Sequence, residues 1–144
     1  MISKNLKETK AIAKIFFDKI LKNQKRKNAL VVGLSGDLGA GKTVFVKAVA
    51  KLLKIKNKVF SPTYVIIKNY ELRITNYKKF FHIDAYRLKN EKELLLLGWE
   101  EIVSNKENLV FIEWPENIHK AIPSNARYIY ITHTENGHRD FKLK

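Results

Sequence analysis

The stretch GDLGAGKT at 36–43 restricts the fold more than any other part of the chain. It fits the pattern G-x-x-x-x-G-K-[ST] and directly follows a continuous apolar run, ALVVGLS at 29–35, of the kind that forms a strand covered on both faces. Downstream, Val44, Phe45, Ala48, Val49 and Leu52 recur at helical spacing, so the order is buried strand, glycine loop, helix. In that order the glycines let the backbone curl until successive N–H groups converge, and the helix N-terminus adds its partial positive charge at the same point. Gly36, Asp37, Leu38, Gly39, Ala40, Gly41, Lys42 and Thr43 are therefore expected to cradle the phosphates of a nucleotide. Lys42 reaches the terminal phosphates, and Thr43 offers its hydroxyl to the Mg²⁺ that such a polyanion requires.

The remaining pattern suits an α/β fold of the P-loop kind, with a mainly parallel central sheet flanked by helices and an antiparallel hairpin. Apolar positions 13, 16, 17, 20 and 21 predict an amphipathic helix over 6–22. Residues 64–72 and 79–83 are β-rich on either side of Thr75 and Asn76, which predicts the hairpin. A short helix is expected over 91–97, a second buried strand over 109–112 that Pro115 ends, and late strands over 127–132 and 141–143 about the Asn136–Gly137 turn. The length, 144 residues, suits one P-loop domain spanning 1–144.

A P-loop enzyme needs an acid at the end of a neighbouring buried strand, and Glu113, after Leu109 to Ile112, meets that need as a Mg²⁺ ligand or a base. Asp84, after Phe80 to Ile83, is a second acid at a strand end, with an ion pair to Arg87 as its structural alternative. Lys42, Asp84 and Glu113 are thus the expected catalytic residues, and Thr43, Glu113 and Asp84 the expected metal ligands. Thr63, in the loop Ser61-Pro62-Thr63, is positioned to sense a γ-phosphate. Trp114 and Pro115 are read as packing at the strand exit, and Glu91 and Glu93 as a solvated face. His82, His119, His133 and His138 lack metal-ligand spacing and are given no catalytic part. The nearest approach to a guanine-reading N-K-x-D, at 105–108, lacks the Asp, which favours ATP.

Composition narrows the setting. Without cysteine there are no disulfide partners and no thiolate site, so any metal is held by oxygen. No apolar run reaches the roughly 18 residues of a membrane span, and the charged N-terminal segment is unlike a signal peptide; no membrane partner and a cytoplasmic location are expected. The net charge of +14 favours anionic partners without choosing among nucleotides, RNA and acidic proteins.

GDLGAGKT at 36–43, SPTY at 61–64, HIDAYR at 82–87, ELLLLG at 93–98 and EWP at 113–115, in that order and spacing, closely resemble the TsaE (YjeE) family of bacterial P-loop ATPases. The resemblance covers nearly the whole chain. It implies slow, Mg²⁺-dependent hydrolysis of ATP to ADP and phosphate in tRNA N6-threonylcarbamoyladenosine (t6A37) modification. The implied partners are the TsaB and TsaD proteins, with tRNA met indirectly through the complex. By position it also implies that Thr9 and Arg139 stand near the base or ribose of the nucleotide. Lys68 and Asn69 depart from the family, which usually carries an acidic residue there. Two other readings fit the motifs: a small P-loop kinase of a metabolite, and a basic RNA-binding module with a nucleotide switch.

Overall fold

The apolar runs of the sequence lie side by side in the sheet of a computed structural model, which describes residues 1–22, 25–56, 66–73 and 75–144. The strands are β1 (Ile2–Ser3), β2 (Leu30–Ser35), β3 (Ile67–Glu71), β4 (Lys79–Asp84), β5 (Asn108–Glu113), β6 (Arg127–His133) and β7 (Arg139–Leu143). The helices are α1 (Leu6–Leu21), α2 (Lys42–Leu52), α3 (Lys92–Leu96) and α4 (Trp99–Ser104), with a 3₁₀ helix over Pro115–Ala121.

These strands form one sheet in the order β1-β7-β6-β2-β5-β4-β3. Its centre, β6-β2-β5-β4, is parallel, and both margins are antiparallel, through β3 on β4 and through β7 on β6 with β1 beyond. The fold is thus the expected α/β architecture, and its antiparallel pairing extends to a second hairpin at the opposite margin. Parallel central strands must be covered on both faces, and period-two alternation sorts their side chains accordingly. Leu30, Val32, Leu34, Phe80, Leu109 and Phe111 pack with α1 and α2, while Val31, Phe81, Ile83, Val110 and Ile112 pack with Leu94, Trp99 and Ile118 on the other side.

Helix α1 is capped by Asn5, whose Oδ1 accepts from the Glu8 amide at 3.0 Å, while the Glu8 carboxylate accepts from the Lys4 amide at 2.7 Å. The first bond satisfies an amide that the first turn would otherwise leave open, and the second ties the chain entering the helix to that turn. Three elements lie outside the sequence expectation: β1, which pairs with β7, together with α4 and the 3₁₀ helix. Gly98, at φ 85°, ends α3 and lets α4 begin at once, and Pro115 starts the 3₁₀ helix where β5 stops. Among the described residues no helix is long and apolar enough to cross a membrane.

Candidate nucleotide-binding site

Three parallel strands end at the same level, and their ends build the site. In register, Leu34 of β2 lies opposite Glu113 of β5, and Glu113 opposite Asp84 of β4. The glycine loop leaves β2 at that level and turns into α2. At Gly36 the loop passes so close to β6 that a Cβ would run into the Ile131 carbonyl oxygen, and Gly41 holds φ 107° at the N-cap of α2. Only glycine adopts that conformation without strain.

The side chains then converge. Lys42 is 4% exposed, and its ammonium donates to the carbonyls of Gly36 and of Asp37, the latter at 2.8 Å. Burial pushes its pKa below the ordinary lysine value, and the carboxylates of Glu113, Glu116, Asp84 and Asp37 partly oppose that shift. The same ammonium lies 3.9 Å from the centre of the Trp114 ring. Trp114 itself stands in the left-handed region, at φ 60° and ψ 51°, a conformation that costs a non-glycine residue roughly 1–2 kcal/mol. It is therefore more than packing at the strand exit, because the strained backbone aims the indole at the loop lysine. Its ring also meets Tyr86 at 5.1 Å.

Thr43 Oγ1 donates to the Glu113 carboxylate, 3.0 Å from each oxygen. Glu113 is 3% exposed, and its Oε1 also meets His82 Nε2 at 2.8 Å. Asp84 is half-buried and accepts from the Tyr86 amide at 3.0 Å. Around these groups opens a cavity of about 570 Å³, whose walls include Leu38, Gly39, Gly41, Lys42, Thr43, Asp84, Glu113, Trp114 and Arg139. Gly36, Asp37 and Ala40 shape the loop from behind, Ala40 being fully buried in the core.

Arg139, at the start of β7, lies against the loop: a Cβ on Gly41 would be 3.3 Å from its Nε. That Nε is buried and has no hydrogen-bond partner among the described residues, a donor left for a ligand's acceptor atoms. Thr9 is placed differently. It is 2% exposed in the first turn of α1, where its hydroxyl meets Ser3 Oγ at 2.8 Å and the Asn5 carbonyl at 3.2 Å, and it is not among the residues that line the cavity. Ser61, Pro62 and Thr63 lie outside the described residues. His82, given no catalytic part from the sequence, shares a face of β4 with Asp84 through its i, i+2 spacing, and the structure turns that face, with Phe80, toward α1 and α2.

The donor set fits Mg²⁺. Among the described residues no three His, Asp or Glu side chains cluster as a metal cage, whereas Mg²⁺ asks for one or two carboxylates with the remaining positions filled by phosphates and water. A hydroxyl with an adjacent carboxylate, facing a cavity lined by loop glycines, a lysine and an arginine nitrogen unpaired among the described residues, suits a magnesium-bound polyphosphate.

The family described as threonylcarbamoyl adenosine biosynthesis protein TsaE matches residues 3–141. Relatives named tRNA threonylcarbamoyladenosine biosynthesis protein TsaE include one from Bacillus subtilis, 36% identical over 94% of this chain and 78% of its own length. Another, from Rickettsia felis, is 37% identical over 82% of this chain, and the match spans 63% of that relative's length. Among solved structures, Bacillus subtilis YdiB superposes with a TM-score of 0.75 at 31% identity, covering 99% of this chain and 82% of that one.

Proposed function

This chain belongs to the TsaE family, and from that premise we propose that it binds ATP with Mg²⁺ in the cavity and hydrolyses ATP to ADP and phosphate within tRNA threonylcarbamoyladenosine biosynthesis. TsaB and TsaD are its proposed partners, and it meets tRNA through the complex they form. The carrying observation is the Thr43 hydroxyl bonded to both oxygens of a buried Glu113 beneath the loop that holds Lys42.

Each residue then has a part. The loop amides and Lys42 bind the β- and γ-phosphates, and Arg139 supplies a further donor beside Gly41. Thr43 and Glu113 hold Mg²⁺, which neutralises charge on the phosphates when bound. Asp84, in the wall of the cavity, orients a water toward the γ-phosphorus. As the new P–O bond forms, the bond to the β,γ-bridging oxygen breaks, ADP leaves with that oxygen, and the water's proton passes through Asp84 to solvent. With Lys42 nearly enclosed, its charge acts where water is scarce, and such contacts are worth about 1.5–3 kcal/mol each.

The test compares the wild-type chain with Lys42→Ala. Wild type should bind ATP with Mg²⁺, release phosphate slowly, and capture purified TsaB and TsaD in a nucleotide-dependent way. Lys42→Ala should keep its fold by circular dichroism and lose ATP affinity by about tenfold or more. Wild-type binding and turnover in that variant would refute the assignment of the loop.

A further inference from the structure

The Glu113 carboxylate is gripped from behind as well as from the loop. His82 is completely buried on β4, in register with Phe111, and its Nε2 stands 2.8 Å from Glu113 Oε1 while Thr43 bonds the same carboxylate from α2. We propose that His82 is a positioning residue, a fixed N–H donor that holds Glu113 against Thr43 so that the carboxylate is pre-set for the Mg²⁺-bound nucleotide. The inference rests on the function proposed above.

Packing alone does not account for an imidazole at this position. The two residues before it are Phe80 and Phe81, both buried in opposite halves of the core, so an aromatic ring without nitrogens would fill this strand and face no desolvation cost. The Nδ1 of His82 is itself buried without a hydrogen-bond partner among the described residues, so one nitrogen is left unsatisfied while the other serves Glu113. Only a ring carrying its proton on Nε2 donates to the carboxylate, so the contact also selects the tautomer. A glutamate has three rotatable bonds, and one hydroxyl donor leaves its carboxylate free to pivot. A second donor from a different strand removes that freedom, because β4 and β5 are locked in parallel register on either side of the pair. Partners of this kind, one step removed from the ligand, change metal affinity or activity by about ten- to a hundredfold when deleted.

Two variants and a direct probe test it. His82→Phe should lower kcat for ATP hydrolysis by about ten- to a hundredfold and shrink the gain in nucleotide affinity that Mg²⁺ brings, leaving metal-free ADP affinity at the wild-type value. His82→Gln, which returns an N–H at similar reach, should recover most of both. On a Glu113→Gln background, His82→Phe should add no further loss, because the two act as one unit. Independently of catalysis, nitrogen-edited NMR of the wild-type chain should show the His82 ring proton protected from exchange, and Glu113→Ala should remove that protection. If wild type hydrolyses no ATP while the ring proton is protected, the proposed function fails and the contact stands. Wild-type kcat and Mg²⁺ gain in His82→Phe, a His82→Gln as impaired as His82→Phe, or a freely exchanging ring proton would overturn the proposal.

Discussion

Trp114 joins backbone strain to the charge of the site. The indole over Lys42 adds about 0.5–2 kcal/mol of cation–π attraction, comparable to the cost of its left-handed backbone. A nucleotide that draws the Lys42 ammonium toward its phosphates must alter the field at this ring. Trp99, the other tryptophan, is 1% exposed and donates its indole N–H to the Ala121 carbonyl at 2.9 Å, away from the loop. Adding ATP should therefore change tryptophan emission, and Trp114→Phe should abolish the change while keeping the Trp99 signal. A full-sized response in Trp114→Phe would show that the nucleotide does not reach this corner.

Helix α2 carries Lys42 and Thr43 on its first turn, so anything that loosens its seat loosens the site. Phe45 anchors it: the side chain is fully buried, with its ring centre 6.4 Å from that of Phe16 on α1 and 5.9 Å from that of Phe141 on β7. Deleting such a ring removes transfer free energy and leaves a void, so Phe45→Ala should cost about 3–5 kcal/mol in urea denaturation. Saturating ATP should restore part of that loss, since a ligand bound only by the folded chain stabilises it by mass action. A cost below about 1 kcal/mol would mean that α1 and β7 close over the gap. On the far face, α3 and α4 use Leu94 and Trp99 to cover β4 and β5, which hold the two strand-end acids.

For the whole molecule, charge and pH set two limits. The excess of 28 Lys and Arg over 14 Asp and Glu attracts any polyanion, yet no aromatic-rich RNA-reading motif accompanies it. The isolated chain should bind tRNA weakly, and a titration from roughly 50 to 200 mM salt should remove most of that binding, as phosphate contacts alone demand. Tight, salt-resistant binding would favour direct RNA recognition. At high pH the buried phenols matter. Burial holds Tyr70, Tyr77 and Tyr128 above the ordinary tyrosine value of 10.0. The unfolded chain then loses those protons first, so their contribution is complete below that value and disappears as pH climbs through the folded one. Thermal stability should fall above about pH 10, and Tyr70→Phe should flatten the fall. An unchanged slope in Tyr70→Phe would remove that phenol from the account.

The order of strand, loop and helix was legible in the sequence because glycines, a lysine and apolar period are local properties, each needing only neighbours along the chain. The ends of β4 and β5 were legible for the same reason, since Asp84 and Glu113 close apolar runs. Gly98 and Pro115 are also local marks, yet α4 and the 3₁₀ helix are held in place by burying their own Trp99 and Ile118 against Val31, Ile83 and Ile112 of the sheet. What tertiary structure alone decided is which side chains meet. Parallel register sets Asp84 beside Glu113, close approach of β7 to the loop brings Arg139 onto Gly41, and the turn at Trp114 swings an indole over Lys42. His82 and Glu113 stand 31 positions apart in the chain and 2.8 Å apart in space, a pairing fixed by strand order and register that no spacing within one segment encodes.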